Sequence, residues 1–542
     1  MMASAGVVAP DFSRQMRDPQ LLEAALALHD NRLNEAEPLL RAHLKANPFD
    51  VAAIRMLAEL AGRIGRLPDA ETLLRRAVEI APNFLAARSN LATVLYRQGK
   101  TEDALTELDA LLTIDPENAS NTNLKAAAMG RIGEYDEAVA LYGQVLARYP
   151  EQPKVWMSYG HVLKTVGRQA DSVDAYRRAI ALAPQLGEVW WSLANLKTVT
   201  FSDDDIAAME GVFDHPKLSD DDRFHLHFAL GKALEDRKQA AASFAHYDHG
   251  NALRRAMLGY EAAETTKQVD RSIKLFTPDL FAARARQGCP APDPVFVVGM
   301  PRAGSTLVEQ ILASHSQVEG TMELPDIPAL AARVGARKGG LDAFEPQELR
   351  AMGEEYLERT RIQRKTGKPY FIDKLPNNWA HIGLIRLILP NAKIVDARRH
   401  PLGCCFSNFK QHFARGQSFS YGLDDMGRYY ADYVRYLAHI DEVLPGRVHR
   451  VIYERMVEDS ETEIGALLAA LDLPFEESCL RFYENDRAVR TASSEQVRRP
   501  IYREGTEQWQ MFEPWLGPLK DALGPVLGAY PEAPQLKLKT LA

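Results

Sequence analysis

Residues 294–315 read PVFVVGMPRAGSTLVEQILASH. PVFVV at 294–298 is a short apolar run and predicts a buried strand. GMPRAGST at 299–306 is a loop, and LVEQILASH predicts a helix. Strand, glycine loop and helix in that order bind anions, because the first amides of the helix point at the ligand. Gly304 lets the loop approach an anion closely. The spacing from Gly299 to Gly304 mimics a Walker loop, but Ser305 stands where the lysine of that motif would be. Arg302 offers positive charge from inside the loop instead. The missing lysine disfavours a P-loop kinase or an enzyme that hydrolyses ATP or GTP.

Further strands follow. YFIDK at 370–374 ends in Asp373 and Lys374, and KIVDA at 393–397 runs into Arg398, Arg399 and His400. VHRVIY at 448–453 precedes Glu454. Helical stretches such as WAHIGLIRLIL at 379–389 separate them. Alternating strands and helices predict a largely parallel sheet, with binding residues at the carboxyl ends of its strands.

Upstream of CPAPDP at 289–294 the sequence is helical and repeats itself. Pro48, Pro82, Pro116, Pro150 and Pro184 are spaced by one period of 34, as are Gly65, Gly99, Gly133 and Gly167. Small residues form columns at Ala58, Ala92, Ala126, Gly160 and at Ala70, Ala104, Ala138, Ser172. Leu74, Leu108, Tyr142 and Tyr176 form a larger column. The physical reading is one antiparallel helix pair per period. Small residues let the helices touch, the Gly turns between them, and the Pro follows the second helix. The period and residue classes resemble the tetratricopeptide repeat. Segment 15–48 is a degenerate first repeat without the turn Gly, and 221–255 reads as a detached pair of the same kind. Such solenoids bind peptides on a concave face. The other reading is packing on the rest of the chain or self-association.

Composition narrows the classes. The 542 residues are 46% apolar and 25% charged, as in an ordinary soluble globular protein. A net charge of −8 without a basic run argues against nucleic-acid binding as the main task. The four cysteines, Cys289, Cys404, Cys405 and Cys479, form no CxxC, so neither a disulfide framework nor structural zinc is expected. No apolar stretch is long enough for a transmembrane helix. MMASAGVVAPDFSRQ lacks the basic region and apolar core of a secretory signal. A cytoplasmic protein is the expectation.

The domain from 291 to 535 resembles sulfotransferases that use 3′-phosphoadenosine 5′-phosphosulfate (PAPS). PRAGST matches the loop that binds the donor's 5′-phosphosulfate. RHPLGCCFS at 399–407 matches the element that binds its 3′-phosphate, with Arg399 and Ser407 eight positions apart. Within that family the resemblance is to the tyrosylprotein sulfotransferases. Glu323 lies 21 residues after Arg302, as the catalytic Glu of that group does after its loop Arg. Lys374 and SSEQVRRPIYREGTEQW at 493–509 also correspond. Two positions depart: Gln411 replaces an Arg, with Lys410 beside it, and Gln508 replaces a Lys before Trp509.

The resemblance implies roles. Arg302, Ala303, Gly304, Ser305 and Thr306 would cradle the donor's 5′ end, and Arg399 and Ser407 its 3′-phosphate. Tyr453 would contact the donor. Lys374 and Ser493 would stabilise the leaving oxygens, and Glu323 would be the base, with Glu319 its local rival. No metal is expected. The architecture that follows is an all-α repeat domain at 15–200, a helical connector at 201–290 and an α/β domain with a parallel sheet and a P-loop-like donor site at 291–535. Three functional readings stand: a PAPS-dependent sulfotransferase whose repeats present a protein or peptide, tyrosine included; one acting on a carbohydrate or small hydroxyl compound; and a repeat scaffold with a vestigial nucleotide fold. Oligomeric state is not legible.

Overall fold

The computed structural model describes residues 18–534 apart from Lys217, Ala414, Arg415, Ala492 and Tyr502. The stretch read above for a secretory signal lies outside the described residues. The chain divides into two compact units, one ending at Val162 and the other starting at Leu163.

The first unit is built from helix pairs: α1 (Pro19–His29) and α2 (Leu33–Ala46), α3 (Val51–Arg63) and α4 (Leu67–Ile80), α5 (Leu85–Arg97) and α6 (Thr101–Ile114), α7 (Ala119–Ile132) and α8 (Tyr135–Arg148). The next helix, α9 (Pro153–Thr165), crosses the division, and α10 (Gln169–Leu182) belongs to the second unit. The turn glycines of the 34-residue period are all left-handed, with φ between +81° and +89°. In the first pair Asn31 takes that place at φ +59°, as the residue other than Gly that tolerates the conformation best. The small columns are fully buried at Ala58, Ala92, Ala126, Ala70, Ala104 and Ala138. An arginine column that the small-residue pattern does not reveal runs through the same period. Arg63 donates to the Leu28 carbonyl at 2.5 Å, Arg97 to that of Gly62 at 3.0 Å, and Arg131 to that of Tyr96. Each guanidinium thus satisfies a carbonyl near the end of the first helix in the preceding pair.

The second unit joins helices to a sheet. Helices α11 (Gly187–Ala194), α12 (Asp203–Val212), α13 (Asp220–Asp236), α14 (Ala240–Leu258), α15 (Ala262–Leu275) and α16 (Pro278–Ala283) precede five strands. These are β1 (Pro294–Gly299), β2 (Val318–Gly320), β3 (Tyr370–Lys374), β4 (Lys393–Arg398) and β5 (His449–Ile452). Their order is β2-β3-β1-β4-β5, and every pairing is parallel. The central β1 is buried throughout, as a parallel strand covered on both faces must be. Between and after the strands come α17 (Ser305–Ala313), α18 (Asp326–Ala336), α19 (Pro346–Arg359), α20 (Ile382–Ile388), α21 (Pro401–Phe409), α22 (Leu423–Val443), α23 (Tyr453–Glu458) and α24 (Ser460–Ala470). One face of the sheet packs under α17 and α24 through Val295, Val297, Ile311, Leu312, Ile464 and Leu467. β2 falls in a segment whose sequence reads as a turn. At three residues it is too short to show alternation.

The pair α13 and α14, read as detached in the sequence, packs inside this unit. Asn251 donates to the Phe409 carbonyl at 2.8 Å, and Arg255 pairs with Asp425 at 2.7 Å. Ser243 and Gly231 let the two helices touch, with Ser243 donating to the Gly231 carbonyl at 2.7 Å.

The column assignment is testable at Ala92, which clusters with Leu108 and Leu111 where two helices meet. Ala92→Trp should lower the melting temperature of the repeat unit, since overpacking costs about 1–3 kcal/mol. An unchanged far-UV circular dichroism melt contradicts the assignment.

Candidate functional site

The loop after β1 alternates into left-handed backbone at Gly299, Arg302 and Gly304, with φ of +132°, +64° and +99°. Such alternation turns successive amides towards one point and makes an anion nest. Arg302 holds this conformation without being a glycine, which marks a site that its surroundings over-determine. The restraints are visible. Asn408 donates to the Pro301 carbonyl at 2.7 Å, and Arg399 Nη1 to the Arg302 carbonyl at 3.2 Å. A Cβ on Gly304 would sit 2.8 Å from the Tyr453 ring, so only glycine fits. Gly304 caps α17 without a side-chain hydrogen bond, which leaves the first turn of that helix open to a ligand.

The Arg302 guanidinium gathers three further side chains. Its Nε donates to Ser407 Oγ at 3.1 Å, its Nη1 to Ser493 Oγ and its Nη2 to Gln496 Oε1 at 3.1 Å. Thr306 bonds Thr491 at 3.3 Å. Helix α21 (Pro401–Phe409) carries Ser407, and α23 (Tyr453–Glu458) begins at Tyr453. The Arg399 guanidinium stacks on the Tyr453 ring at 4.8 Å and bonds the Gly505 carbonyl. Its Nε is buried and has no hydrogen-bond partner among the described residues. Arg302, Gly304, Ser305, Thr306, Arg399, Ser407, Tyr453 and Ser493 all line one cavity of about 330 Å3. Ala303 is buried in the loop beneath it. Arg398 points into the core, where it pairs with Asp396 at 3.0 Å and bonds Tyr433 at 3.3 Å.

Glu323 and Lys374 form a second group outside the cavity lining. Lys374 Nζ is 2.6 Å from Glu323 Oε1 and 3.9 Å from Glu309 Oε2. The lysine side chain is 2% exposed and the Glu323 side chain 48%, so the carboxylate sits at the solvent end of a buried ammonium. Arg487 completes the network, 2.6 Å from Glu309 Oε1 and 3.0 Å from Gln310. In the sheet Lys374 is level with Val297, two residues before the end of β1. Both groups therefore lie along the carboxyl edge of the sheet. Glu319 is turned elsewhere: it is buried and accepts from the amides of Lys365 and Thr366, the latter at 2.9 Å.

The cavity is electropositive in a chain of net negative charge. Lys197, Lys232, Lys410 and Arg499 line it alongside Arg302 and Arg399, against Glu235, Asp236 and Glu495. Burial pushes the nearby Lys164 ammonium down to about 8; Glu495 opposes this and Arg302 adds to it. Burial also lowers Lys197, and Arg302, Lys164, Lys410 and Lys232 repel its charge. Both departures noted in the sequence line the cavity. Gln508 accepts from Lys410 at 3.1 Å, and Gln411 donates to the His412 carbonyl at 3.0 Å. Gln496, Lys197, Lys232, Glu309 and Arg487 were not singled out from the sequence. None lies in a repeating pattern or at a strand end, so no local signal marks them. Among the described residues no group of three metal-ligating side chains occurs, and no helix is long and apolar enough to cross a membrane.

A family model described as the sulfotransferase family matches residues 294–477. Two tetratricopeptide repeat models match 63–128, and 21–83 with 126–186. An uncharacterized protein of Aquifex aeolicus (strain VF5) is 33% identical over 336 residues, which are 59% of this chain and 44% of that protein. The chain thus spans less than half the length of that relative. Among solved structures, a tetratricopeptide repeat protein of Thermus thermophilus is 24% identical and covers 32% of this chain and 95% of its own, with a TM-score of 0.29. One from Parabacteroides merdae ATCC 43184 is 18% identical and covers 43% and 91%, with a TM-score of 0.34. MamA of Desulfovibrio magneticus RS-1 is 15% identical and covers 31% and 97%, with a TM-score of 0.29. The chain carries a sulfotransferase family domain, preceded by tetratricopeptide repeats.

Proposed function

We propose that the chain is a PAPS-dependent sulfotransferase that transfers a sulfuryl group to a hydroxyl acceptor. The observation that carries this is the electropositive cavity, where Arg302, Arg399, Ser407 and the open first turn of α17 converge inside a sulfotransferase family domain. The unpartnered Arg399 Nε, buried beside the cavity, fits an anionic oxygen. Ser305, Thr306 and the amides of α17 hold the 5′ end of the donor in this P-loop-like site, with the Arg302 guanidinium beside them. Arg399 and Ser407 hold the 3′-phosphate, and Tyr453 supports Arg399 from below.

The acceptor oxygen bonds to sulfur while the bond from sulfur to the phosphate oxygen breaks. The electron pair stays on that phosphate oxygen. Lys374 and Ser493 offset its charge, and the hydroxyl proton passes to Glu323. Lys374 holds the Glu323 carboxylate in place at 2.6 Å. Catalysis of this kind rests on positioning and charge stabilisation. Tetratricopeptide solenoids are protein-interaction modules, which supports a protein or peptide acceptor, tyrosine included, presented by the repeats. Four unpaired cysteines, all buried, support a reducing cytoplasmic setting.

Three outcomes follow. Arg399→Ala should weaken adenosine 3′,5′-bisphosphate far more than adenosine 5′-monophosphate, by about 1.5–3 kcal/mol for a lost charge-assisted contact. Equal losses in calorimetry remove Arg399 from the 3′-phosphate site. The bisphosphate should also take up protons on binding at pH 8.5. An anion raises the Lys164 ammonium from about 8, while the ligand's own phosphates are already fully ionised there. Affinity then falls as pH rises through 8, and calorimetric enthalpies in buffers of different ionisation heat read the uptake. Equal enthalpies in all buffers contradict it. Glu323→Gln should keep bisphosphate affinity and lower turnover by roughly 10²–10⁴, the usual share of a general base. A larger turnover loss in Glu319→Gln than in Glu323→Gln overturns the assignment.

A further inference from the structure

Helix α17 carries a charge inside its packed face. Glu309 is buried beside Val308 and Ile311, which belong to the core under the sheet. A carboxylate in such a place is costly unless it is paired and hydrogen-bonded. Glu309 stands four residues after Ser305, so it lies one turn along the same face of the helix from the glycine loop.

Half of this carboxylate is satisfied. Its Oε1 accepts from Arg487 Nη2 at 2.6 Å. The same guanidinium donates to Gln310 Oε1 at 3.0 Å and to the Thr321 carbonyl at 3.0 Å. It also lies over Gly320, where a Cβ would sit 2.6 Å from its Nε. Arg487 thus fixes the carboxylate and ties it to the segment that leads to Glu323. The other oxygen, Oε2, is buried and has no hydrogen-bond partner among the described residues. It lies 3.9 Å from Lys374 Nζ. Lys374 shares a face of β3 with Ile372, which packs in the same core as α17.

The Lys374 ammonium therefore stands between two carboxylates of unlike exposure. Glu323 meets it at 2.6 Å from the solvent end, and Glu309 stands off on the buried side. In the transfer step proposed above, Glu323 takes the acceptor proton and loses its charge. A buried ammonium needs an anion beside it. Glu309 is a carboxylate whose charge that step leaves unchanged.

We propose that Glu309 is a positioning residue of the transfer step that acts through Lys374, its Oε2 holding the ammonium from the buried side while Glu323 takes the acceptor proton. The proposal rests on the sulfotransferase reading above. Lys374 then keeps its place against the leaving oxygens as its other carboxylate is neutralised.

The test uses the full chain, PAPS carrying radioactive sulfur and a cell extract as the source of acceptor, with calorimetric titration of adenosine 3′,5′-bisphosphate alongside. Glu309→Gln keeps the size of the side chain and an oxygen for Arg487, but turns an amide nitrogen towards Lys374. It should slow labelling at saturating PAPS about 10- to 100-fold, the loss of one charge-assisted contact, and leave bisphosphate affinity within about 3-fold. Glu309→Asp keeps the charge and should lose less. In a Lys374→Met background either change should cost less than about 3-fold more, because the effect passes through the lysine. Thermal melts check that each variant is folded. Unchanged labelling in Glu309→Gln, losses that multiply in the double variants, or bisphosphate affinity that falls in step with the rate overturns the role of Glu309 while the sulfotransferase reading stands. A wild-type chain that transfers no label overturns that reading and this proposal with it.

Discussion

The Arg302 guanidinium ties together segments that lie nearly two hundred residues apart. Ser407 comes from the helix after β4, while Ser493 and Gln496 come from the loop that follows the last helix packed on the sheet. The same residue bends the loop after β1 into left-handed backbone, and its own carbonyl is held by Arg399. Loop shape, helix start and cavity wall thus depend on one side chain. An apolar residue at 302 would keep the strand and the helix. It would leave the hydroxyls of Ser407 and Ser493 and the amide of Gln496 without their shared donor, and hydrogen bonds to a charged group contribute about 1.5–3 kcal/mol each.

The sheet supplies the frame for that interaction. Parallel order with β1 at its centre brings the ends of β1, β3 and β4 to one edge, so Lys374, Arg302 and Arg399 share it despite their separation in sequence. Two other buried carboxylates are paired. Asp396 is met by Arg398, Arg450 and Tyr433, and Glu309 by Arg487 and Lys374. In the cavity lining cationic side chains outnumber carboxylates, as at many sites that take an anion.

Much of this was legible in the sequence for physical reasons. A 34-residue period with small and glycine columns specifies helix pairs, because touching helices and a left-handed turn each restrict the residue type. Gly65 and Ala92 report such restrictions directly. The glycine loop after β1 and the strand ends were legible because Gly304, Lys374 and Arg399 stand at fixed offsets from short apolar strands. What escaped has a common cause. Arg487 lies in irregular chain and Gln496 in a three-residue 3-10 turn, where no period constrains the residue. The brief β2 was hidden by length, and Glu319, the local rival to Glu323 on sequence, differs from it in the loop amides it caps.

The cavity, the family match and the carboxylate paired to Lys374 support one central proposal, that the chain moves a sulfuryl group from PAPS to a hydroxyl. The most direct measurement is incubation of the purified chain with PAPS carrying radioactive sulfur, together with a cell extract as the source of acceptor. The account predicts label on an extract component, with adenosine 3′,5′-bisphosphate released in equal amount. Label that stays on PAPS or appears only as free sulfate, in every extract and at saturating donor, would contradict it.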